Sequence, residues 1–327
     1  MPEGRHERSL ALIGCGNWGK NLARNFSALG ALHTICEPSD ELREHLAGQY
    51  PEVTVESDPE AVMDNPAIRQ VAIAAPAVLH YKLTRQALLA GKDVYVEKPF
   101  ALTVSEGEQL QEMARDNDRI LMVGHLLQYH PGVCRLQELV AEGAFGKVFR
   151  ITSNRMNLGK VRTEENAFWS LAPHDISVIL SLLPEARPVS VRCMAEAYLR
   201  EGVADCCLCS IEFSNGVRAQ IQVSWLHPFK EHRLSLIGEA AMAVLDDTQD
   251  WPDKLTLRRD YFASKVVEPQ SLEPVEPLRK ECRHFLDCCR DRKSPKTDAA
   301  EGLRVLQILE AAQASADAGG QAIELNP

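Results

Sequence analysis

The chain has 327 residues, 45% hydrophobic and 25% charged, with a formal net charge of −10. That is the composition of an ordinary globular protein long enough for about two domains, and its acidic balance argues against a nucleic-acid or anionic-membrane partner. The longest apolar run reaches only from Val71 to Leu79, well short of the about 20 residues that span a bilayer, and the charged first residues carry no signal-peptide core; the expected location is the cytoplasm.

Ser9 to Ile13 predicts a short apolar strand ending in a glycine cluster, and Lys20 to Leu29 a helix behind it. Further strands are expected over His33–Cys36, Val53–Val55, Gln70–Ala75, Asp93–Val96 and Ile120–Gly124. Helices are expected over His80–Ala90 and from Ser105, with Glu108 three residues on completing a capping box. Strands alternating with helices imply a parallel sheet covered on both faces.

After about residue 125 the pattern changes. Lys147–Asn157, Val189–Tyr198, Val203–Ser214 and Val217–Trp225 read as long strands, and Pro173–Leu183, Leu278–Cys289 and Ala299–Ala316 as helices. Asn215-Gly216 is a two-residue hairpin signal. Val217, Ala219, Ile221, Val223 and Trp225 face one way, and Arg218, Gln220, Gln222 and Ser224 the other, which gives a sheet with one apolar face. Glu268–Pro277 reads as a surface connection.

Ten cysteines raise the question of a metal. The C-x-x-C from Cys206 to Cys209 lies in an alternating strand, so its two ends point oppositely, and no second C-x-x-C completes a zinc set. The cysteines read as small core hydrophobes, and no metal is expected.

Gly14-Cys15-Gly16-Asn17-Trp18-Gly19 follows a strand and opens a helix, the context of a dinucleotide-binding loop. Its glycines permit a tight turn and a close approach to a pyrophosphate, which the helix N-terminus attracts. Glu37 ends the second strand; an acid there accepts from ribose hydroxyls and repels a 2′-phosphate, favouring NAD over NADP. Alternatively, Glu37 is a solvated loop residue.

Two more stretches follow strands: Ala74-Ala75-Pro76-Ala77-Val78-Leu79-His80 and Asp93-Val94-Tyr95-Val96-Glu97-Lys98-Pro99-Phe100. With the glycine loop they resemble the glucose–fructose oxidoreductase / inositol dehydrogenase / rhizopine-catabolism dehydrogenase superfamily, and the resemblance covers nearly the whole chain. It implies an α/β protein: a Rossmann domain with a doubly wound parallel sheet over 1–124, and an α/β domain with a large open, mostly antiparallel sheet over 125–327. The second domain would bind substrate and mediate oligomerisation, its C-terminal helix a candidate to pack back on the first. The resemblance implies that Ala75, Pro76, His80 and Glu97 join Gly14, Gly16, Asn17, Trp18, Gly19 and Glu37 around the cofactor, and that Lys98 sits beside the nicotinamide and the reacting carbon. A lysine there can hydrogen-bond the reacting oxygen and favour its deprotonation. Pro99 keeps Lys98 out of helical geometry. Read without the resemblance, Lys98 would be a surface lysine.

The family often carries Asp-x-Gly-x-His at the start of a helix. Here Ser170-Leu171-Ala172-Pro173-His174-Asp175 aligns the histidine but has Ser170 at the aspartate. The resemblance implies that His174 is the general base, kept neutral by a helix N-terminus; a capping or core histidine is the alternative. The polar run Arg155 to Trp169 offers Arg155, Asn157, Arg162, Asn166 and Trp169 for a charged substrate, with His125 beside them. The alternative is a loop whose charges pair with one another. Gln128, Tyr129, His130, His227 and His232 are further cleft candidates. The run is most similar to bacterial oxidases of UDP-activated amino sugars, which oxidise the C3 hydroxyl before an aminotransferase adds nitrogen. The expected protein is thus an NAD-dependent dehydrogenase of a nucleotide sugar such as UDP-N-acetylglucosamine or its glucuronate. The apolar sheet face suggests a homodimer or homotetramer. Alternatives are a free-sugar or polyol dehydrogenase, an NAD-recycling glycosidase and a non-catalytic NAD sensor.

Overall fold

A computed structural model describes residues 6–159, 161, 162 and 165–325. Lys160, Thr163 and Glu164 of the polar run lie outside the described residues, as do residues 1–5. In chain order the elements begin β1 (Leu10–Ile13), α1 (Gly19–Ala28), β2 (Leu32–Cys36), α2 (Asp40–Gln49), β3 (Thr54–Glu56), α3 (Pro59–Asp64), β4 (Gln70–Ile73), α4 (His80–Leu89), β5 (Asp93–Glu97), α5 (Val104–Asp116) and β6 (Leu121–Gly124). Then come α6 (Pro131–Ala141), β7 (Val148–Leu158), α7 (Ala167–Leu182), β8 (Pro188–Glu196), β9 (Cys206–Phe213), β10 (Arg218–Ser224), β11 (Leu226–Gly238), β12 (Ala241–Asp246), β13 (Leu255–Arg259) and β14 (Glu268–Pro269). The chain closes with α8 (Pro277–Asp291), α9 (Ala299–Asp317) and β15 (Ile323–Glu324).

Two compact units form. The first holds the residues up to Leu126 and the segment Glu276–Leu306; the second holds Leu127–Val275 and the residues from Gln307 onward. The first unit is built on a six-stranded parallel sheet in the order β3-β2-β1-β4-β5-β6, the strand order of a dinucleotide-binding Rossmann fold. Strands β1, β5 and β6 are buried along their whole length, as a sheet covered on both faces requires. The capping box of α5 falls two residues before the predicted place. Thr103, in extended backbone, accepts from Glu106 N at 3.2 Å, and Glu106 accepts from Leu102 N at 3.1 Å. Both S/T-x-x-E spacings exist, and the extended backbone at Thr103 selects the earlier one.

The sequence reading places residues 125–327 in the second domain, with the C-terminal helix a candidate to pack back on the first; Glu276–Leu306, all of α8 and the start of α9, clusters with the first unit. Helix α8 buries Leu278, Cys282, Phe285, Leu286 and Cys289 along one stripe. Phe285 meets Phe26 and Tyr95 edge-on, with ring centroids 6.5 and 5.9 Å away. Arg292 Nη1 donates to both oxygens of Asp93, at 2.9 and 2.7 Å. Thr297 and Val123 exchange hydrogen bonds: Thr297 Oγ1 donates to Val123 O at 2.7 Å, and Val123 N to Thr297 O at 2.8 Å.

The second unit carries a nine-stranded sheet, β14-β13-β12-β11-β7-β10-β9-β8-β15, in which β7 and β10 run parallel and the other pairs antiparallel. The predicted apolar face, with Cys207, Cys209, Ile211, Ala219, Ile221 and Val223, is buried. Helix α7 packs on β7, β9 and β10. The face that suggested self-association is therefore covered within the chain; alternation along a strand reveals a buried face but not what buries it. Helix α7 opens at Asn166, not at Pro173: Asn166 Oδ1 accepts from Trp169 N at 3.0 Å, and Pro173 lies inside the helix. Strand β11 was not anticipated. Its pairing with β7 shifts register between Leu226 and Glu231, and that irregularity breaks the period-2 pattern in the sequence. Among the described residues no helix is long and apolar enough to cross a membrane. No group of three or more His, Cys, Asp or Glu among them could hold a metal ion.

Phe285→Ala should lower unfolding stability by about 3–5 kcal/mol through the cavity left between Phe26 and Tyr95, measured as a shift of the denaturation midpoint at constant slope.

Candidate active site

In the first unit the loop after β1 gives each glycine a distinct task. Gly14 has φ +87, and a Cβ there would lie 2.8 Å from Ala75 N. A Cβ on Gly19 would overlap the carbonyl oxygen of Gly14, so this glycine keeps α1 against the loop. A Cβ on Gly16 would meet nothing within 4 Å; there the backbone faces open space. The first turn of α1 carries no acidic residue and no side-chain cap. An open glycine surface at an uncapped helix N-terminus fits a pyrophosphate.

Glu37 stands at the end of β2, buried at 6% exposure. Its Oε2 accepts from Cys15 N at 2.9 Å and its Oε1 from Ser39 N at 3.2 Å. Arg43 is committed nearby: it donates to the carbonyls of Glu37 and Pro38 at 2.8 Å and pairs with Asp40. Burial and the Glu37 carboxylate push the Cys15 thiol up to about 11, which suits a packing role.

Beyond β4, Ala75 and Pro76 lead into α4, whose His80 ties two loops together. Its Nδ1 lies 2.7 Å from Pro99 O and its Nε2 2.8 Å from Ala75 O. At the end of β5, Glu97 Oε1 accepts from Trp18 Nε1 at 2.5 Å and from Tyr95 Oη at 3.0 Å, while Oε2 accepts from Lys98 N at 3.3 Å. Burial raises the Glu97 carboxyl above its ordinary value, against the lowering effects of the Trp18 bond and the Lys98 charge. Lys98 follows, half-buried. The first unit thus gathers the glycine loop, Glu37, Ala75, His80, Glu97 and Lys98 at the carboxyl ends of its parallel strands. His125 lies buried in the same unit with Nδ1 2.6 Å from Glu301 Oε2.

In the second unit, His174 is half-buried well inside α7, so the helix-terminus argument for a neutral imidazole does not apply to it. The sequence reading passed over its neighbour Asp175. That carboxylate accepts from Arg155 Nε at 2.7 Å, from Arg155 Nη2 at 3.2 Å and from Ser153 Oγ at 2.7 Å. Arg155 is thereby paired inside the unit. Arg162 pairs with Glu165 at 2.9 Å. Asn166 caps α7 and donates from Nδ2 to Gln313 at 2.8 Å. Asn157 and Trp169 are half-buried. Gln128 donates to Ser177 O at 2.8 Å, Tyr129 is buried, and His227 folds its ring onto Phe229.

His130 stacks on Trp251 at 5.7 Å and lies 3.3 Å from Asp247. His130 and Lys254 hold the Asp247 carboxyl well below the usual range despite its burial. His130, Ser153, Arg155, Asp175, His232 and Asp247 line a cavity of about 30 Å³, room for a water molecule or two. Burial, reinforced by the charges of Arg155 and Lys230, pushes the His232 imidazole down to about 4.

The fold and the phosphate-ready loop define an NAD-binding oxidoreductase framework, and comparison with known proteins agrees. Residues 8–125 match an oxidoreductase family with an NAD-binding Rossmann fold, and residues 133–244 match the GFO/IDH/MocA C-terminal domain. The chain belongs to this GFO/IDH/MocA oxidoreductase family. It is similar to the UDP-N-acetylglucosamine 3-dehydrogenase of Acidithiobacillus ferrooxidans, at 25% identity over 304 residues, 90% of this chain and 93% of that one. The solved structure of that enzyme superposes with a TM-score of 0.84 at 23% identity, covering 95% and 99% of the two chains. It is also similar to the NAD(+)-dependent scyllo-inositol 2-dehydrogenase of Bacillus subtilis, at 24% identity over 311 residues, 89% of this chain and 88% of that one. The uncharacterised oxidoreductase YdgJ of Escherichia coli matches at 31% identity over 182 residues. The matched part is about half the length of each chain, 51% of this one and 50% of YdgJ.

Two predictions follow from this geometry. Gly16→Ala should keep stability within about 0.5 kcal/mol yet weaken NAD binding by about 10-fold or more, whereas Gly19→Ala should lose stability as well; calorimetric titration and thermal melts separate the two. With its imidazole at about 4 when folded against 6.5 when unfolded, His232 makes the unfolded chain bind the extra proton, so it erodes stability as pH falls from 6.5 towards 4 and adds no further loss below. In His232→Gln that part of the acid limb should flatten, read from denaturation midpoints across pH.

Proposed function

We propose that the protein is an NAD-dependent dehydrogenase that oxidises a ring hydroxyl, at C3, of a nucleotide-activated sugar such as UDP-N-acetylglucosamine or its glucuronate. The observation that carries this reading is the placement of Lys98 directly after Glu97, whose carboxylate is bonded to Trp18 of the glycine loop. The lysine therefore stands at the strand ends where a dinucleotide binds such folds.

When bound, NAD accepts the hydride at its nicotinamide ring. The glycine-loop backbone and the start of α1 hold the pyrophosphate. Glu37 accepts from ribose hydroxyls and repels a 2′-phosphate, and Arg43, held by the Glu37 and Pro38 carbonyls and Asp40, is not offered to one. Lys98 donates to the reacting oxygen and stabilises its developing negative charge. His174 takes the hydroxyl proton. Asn157, Trp169 and the exposed Arg162, whose pair with Glu165 can give way to a substrate anion, are the side chains proposed to contact the nucleotide sugar, because Arg155, Asn166 and His125 are engaged less accessibly with Asp175, Gln313 and Glu301. A downstream aminotransferase that consumes the ketone completes the reading.

A second reading, a free polyol dehydrogenase, is favoured by the likeness to the scyllo-inositol enzyme. Ser170, which stands where the family often has aspartate, weighs against it.

The test is NADH fluorescence on mixing protein, NAD and a panel of UDP-sugars, with and without an aminotransferase and glutamate to remove ketone. A signal from one nucleotide sugar, enlarged by the trap, is expected. Signal from free sugars or polyols alone would replace this reading with the second. With the verified substrate, Lys98→Met and His174→Asn should each lower kcat by about 10²–10⁴-fold. Wild-type turnover in both would overturn the assignment of these residues.

A further inference from the structure

Behind the Glu97 carboxylate lies a group of buried oxygen atoms that the proposed chemistry leaves unused. Tyr95 Oη is 3.0 Å from Glu97 Oε1 and 3.1 Å from Glu281 Oε2. Tyr95 and Glu281 are 0% exposed. Gly124 closes over the group: a Cβ there would lie 2.6 Å from Tyr95 Oη and 3.0 Å from the Glu97 carboxylate.

A phenol carries one hydrogen, so Tyr95 can donate to only one of the two carboxyls. With both glutamates ionised, the other contact would set lone pair against lone pair between buried atoms. A second proton is required, and the other donors decide where it sits. Glu97 already receives Trp18 Nε1 and Lys98 N, and the Lys98 charge favours its anion. Glu281 receives none of this. Its Oε1 has no hydrogen-bond partner among the described residues, and the Glu97 charge opposes its ionisation. Burial, then that charge, hold the Glu281 carboxyl well above its ordinary value.

We propose that Glu281 is a neutral carboxylic acid that donates to Tyr95 Oη while Tyr95 donates to Glu97, which makes Glu281 a positioning residue for the Glu97–Lys98 pair. Three donors then converge on one carboxylate: the Trp18 indole, the Tyr95 phenol and the Lys98 amide. Helix α8 supplies the acid that sets this direction of hydrogen bonding. The positioning role rests on Lys98 acting beside the reacting carbon, as proposed above; the protonation of Glu281 does not.

Infrared spectra of wild type, Glu281→Gln and Glu97→Gln at neutral pH, in H2O and D2O, test the proton. A carboxylic-acid C=O band that shifts in D2O, vanishes in Glu281→Gln and survives in Glu97→Gln is the expected result. A wild-type spectrum without such a band, or a band that Glu281→Gln retains, would overturn the proposal. Steady-state kinetics test the role. Glu281→Leu, which cannot donate, should lower kcat by about 10-fold or more with a smaller change in KM for NAD, and Glu281→Gln, which keeps an N–H donor, should restore most of the loss. Should the leucine variant not fold, Tyr95→Phe, which removes the donor to Glu97, takes its place. A glutamine variant as impaired as the leucine or phenylalanine variant would overturn the positioning role. If no substrate is oxidised by wild type, it is the functional reading that has failed, and the infrared result still decides the proton.

Discussion

The bond from the Trp18 indole to the Glu97 carboxylate is the constraint on which the first unit's chemistry hangs. It joins the loop after β1 to the end of β5 across the intervening β4. The loop has to stay open for a phosphate, and Lys98, the lysine proposed to act on the substrate, follows Glu97 directly. A carboxylate this deep must be satisfied by donors, since an uncompensated buried charge is among the costliest defects a fold can carry. The donors that satisfy it come from the two segments whose spacing matters, so solvation of one charge and alignment of the cofactor loop with the lysine become a single requirement. His80 also lies between two loops, its ring nitrogens 2.7 and 2.8 Å from the carbonyls of Pro99 and Ala75.

The second unit uses a different device. Arg155 on β7 and Asp175 on α7 form a paired, largely buried contact that Ser153 completes. Such a pair contributes little net stability, because desolvation offsets most of the attraction; its value lies in the single arrangement it permits. Here that arrangement fixes α7 on the sheet, and with it the facing of His174, the residue before Asp175. The arginine that looked free for a substrate anion is committed to holding α7 instead.

What the sequence discloses and what it hides divide along a physical line. The glycine loop and Glu37 were legible because each sits at a fixed offset from a short, strongly apolar strand, and the first sheet was legible from the same strands; the Glu97-Lys98-Pro99 turn stood out only through the family resemblance, without which Lys98 reads as a surface lysine. The alternation of β9 and β10 likewise marked their buried residues. Periodicity reports on neighbours a few positions apart, so it could not tell that α7 would cover that face. Nor could it show that α8 would return to the first unit. Tyr95 reads as one more apolar strand residue and Glu281 as one more acid in a charged helix; they lie 186 positions apart in sequence, and only the fold brings them into contact. The early start of α7 was concealed by Pro173, which usually marks a helix's beginning and here lies within one. Strand β11 was concealed by the register shift near its start.

The return of Glu276–Leu306 to the first unit also bears on how the protein is made. Chains emerge from the ribosome N-terminus first, and domains usually fold as they appear. The six parallel strands are all synthesised by Gly124, but the helix that brings Phe285 and Glu281 to Tyr95 is still unmade while the whole of the large sheet is translated. During that interval the aromatic surface around Phe26 and Tyr95 stands uncovered and the cofactor loop lacks its backing. A message truncated anywhere before α8 therefore yields a product in which neither half is whole.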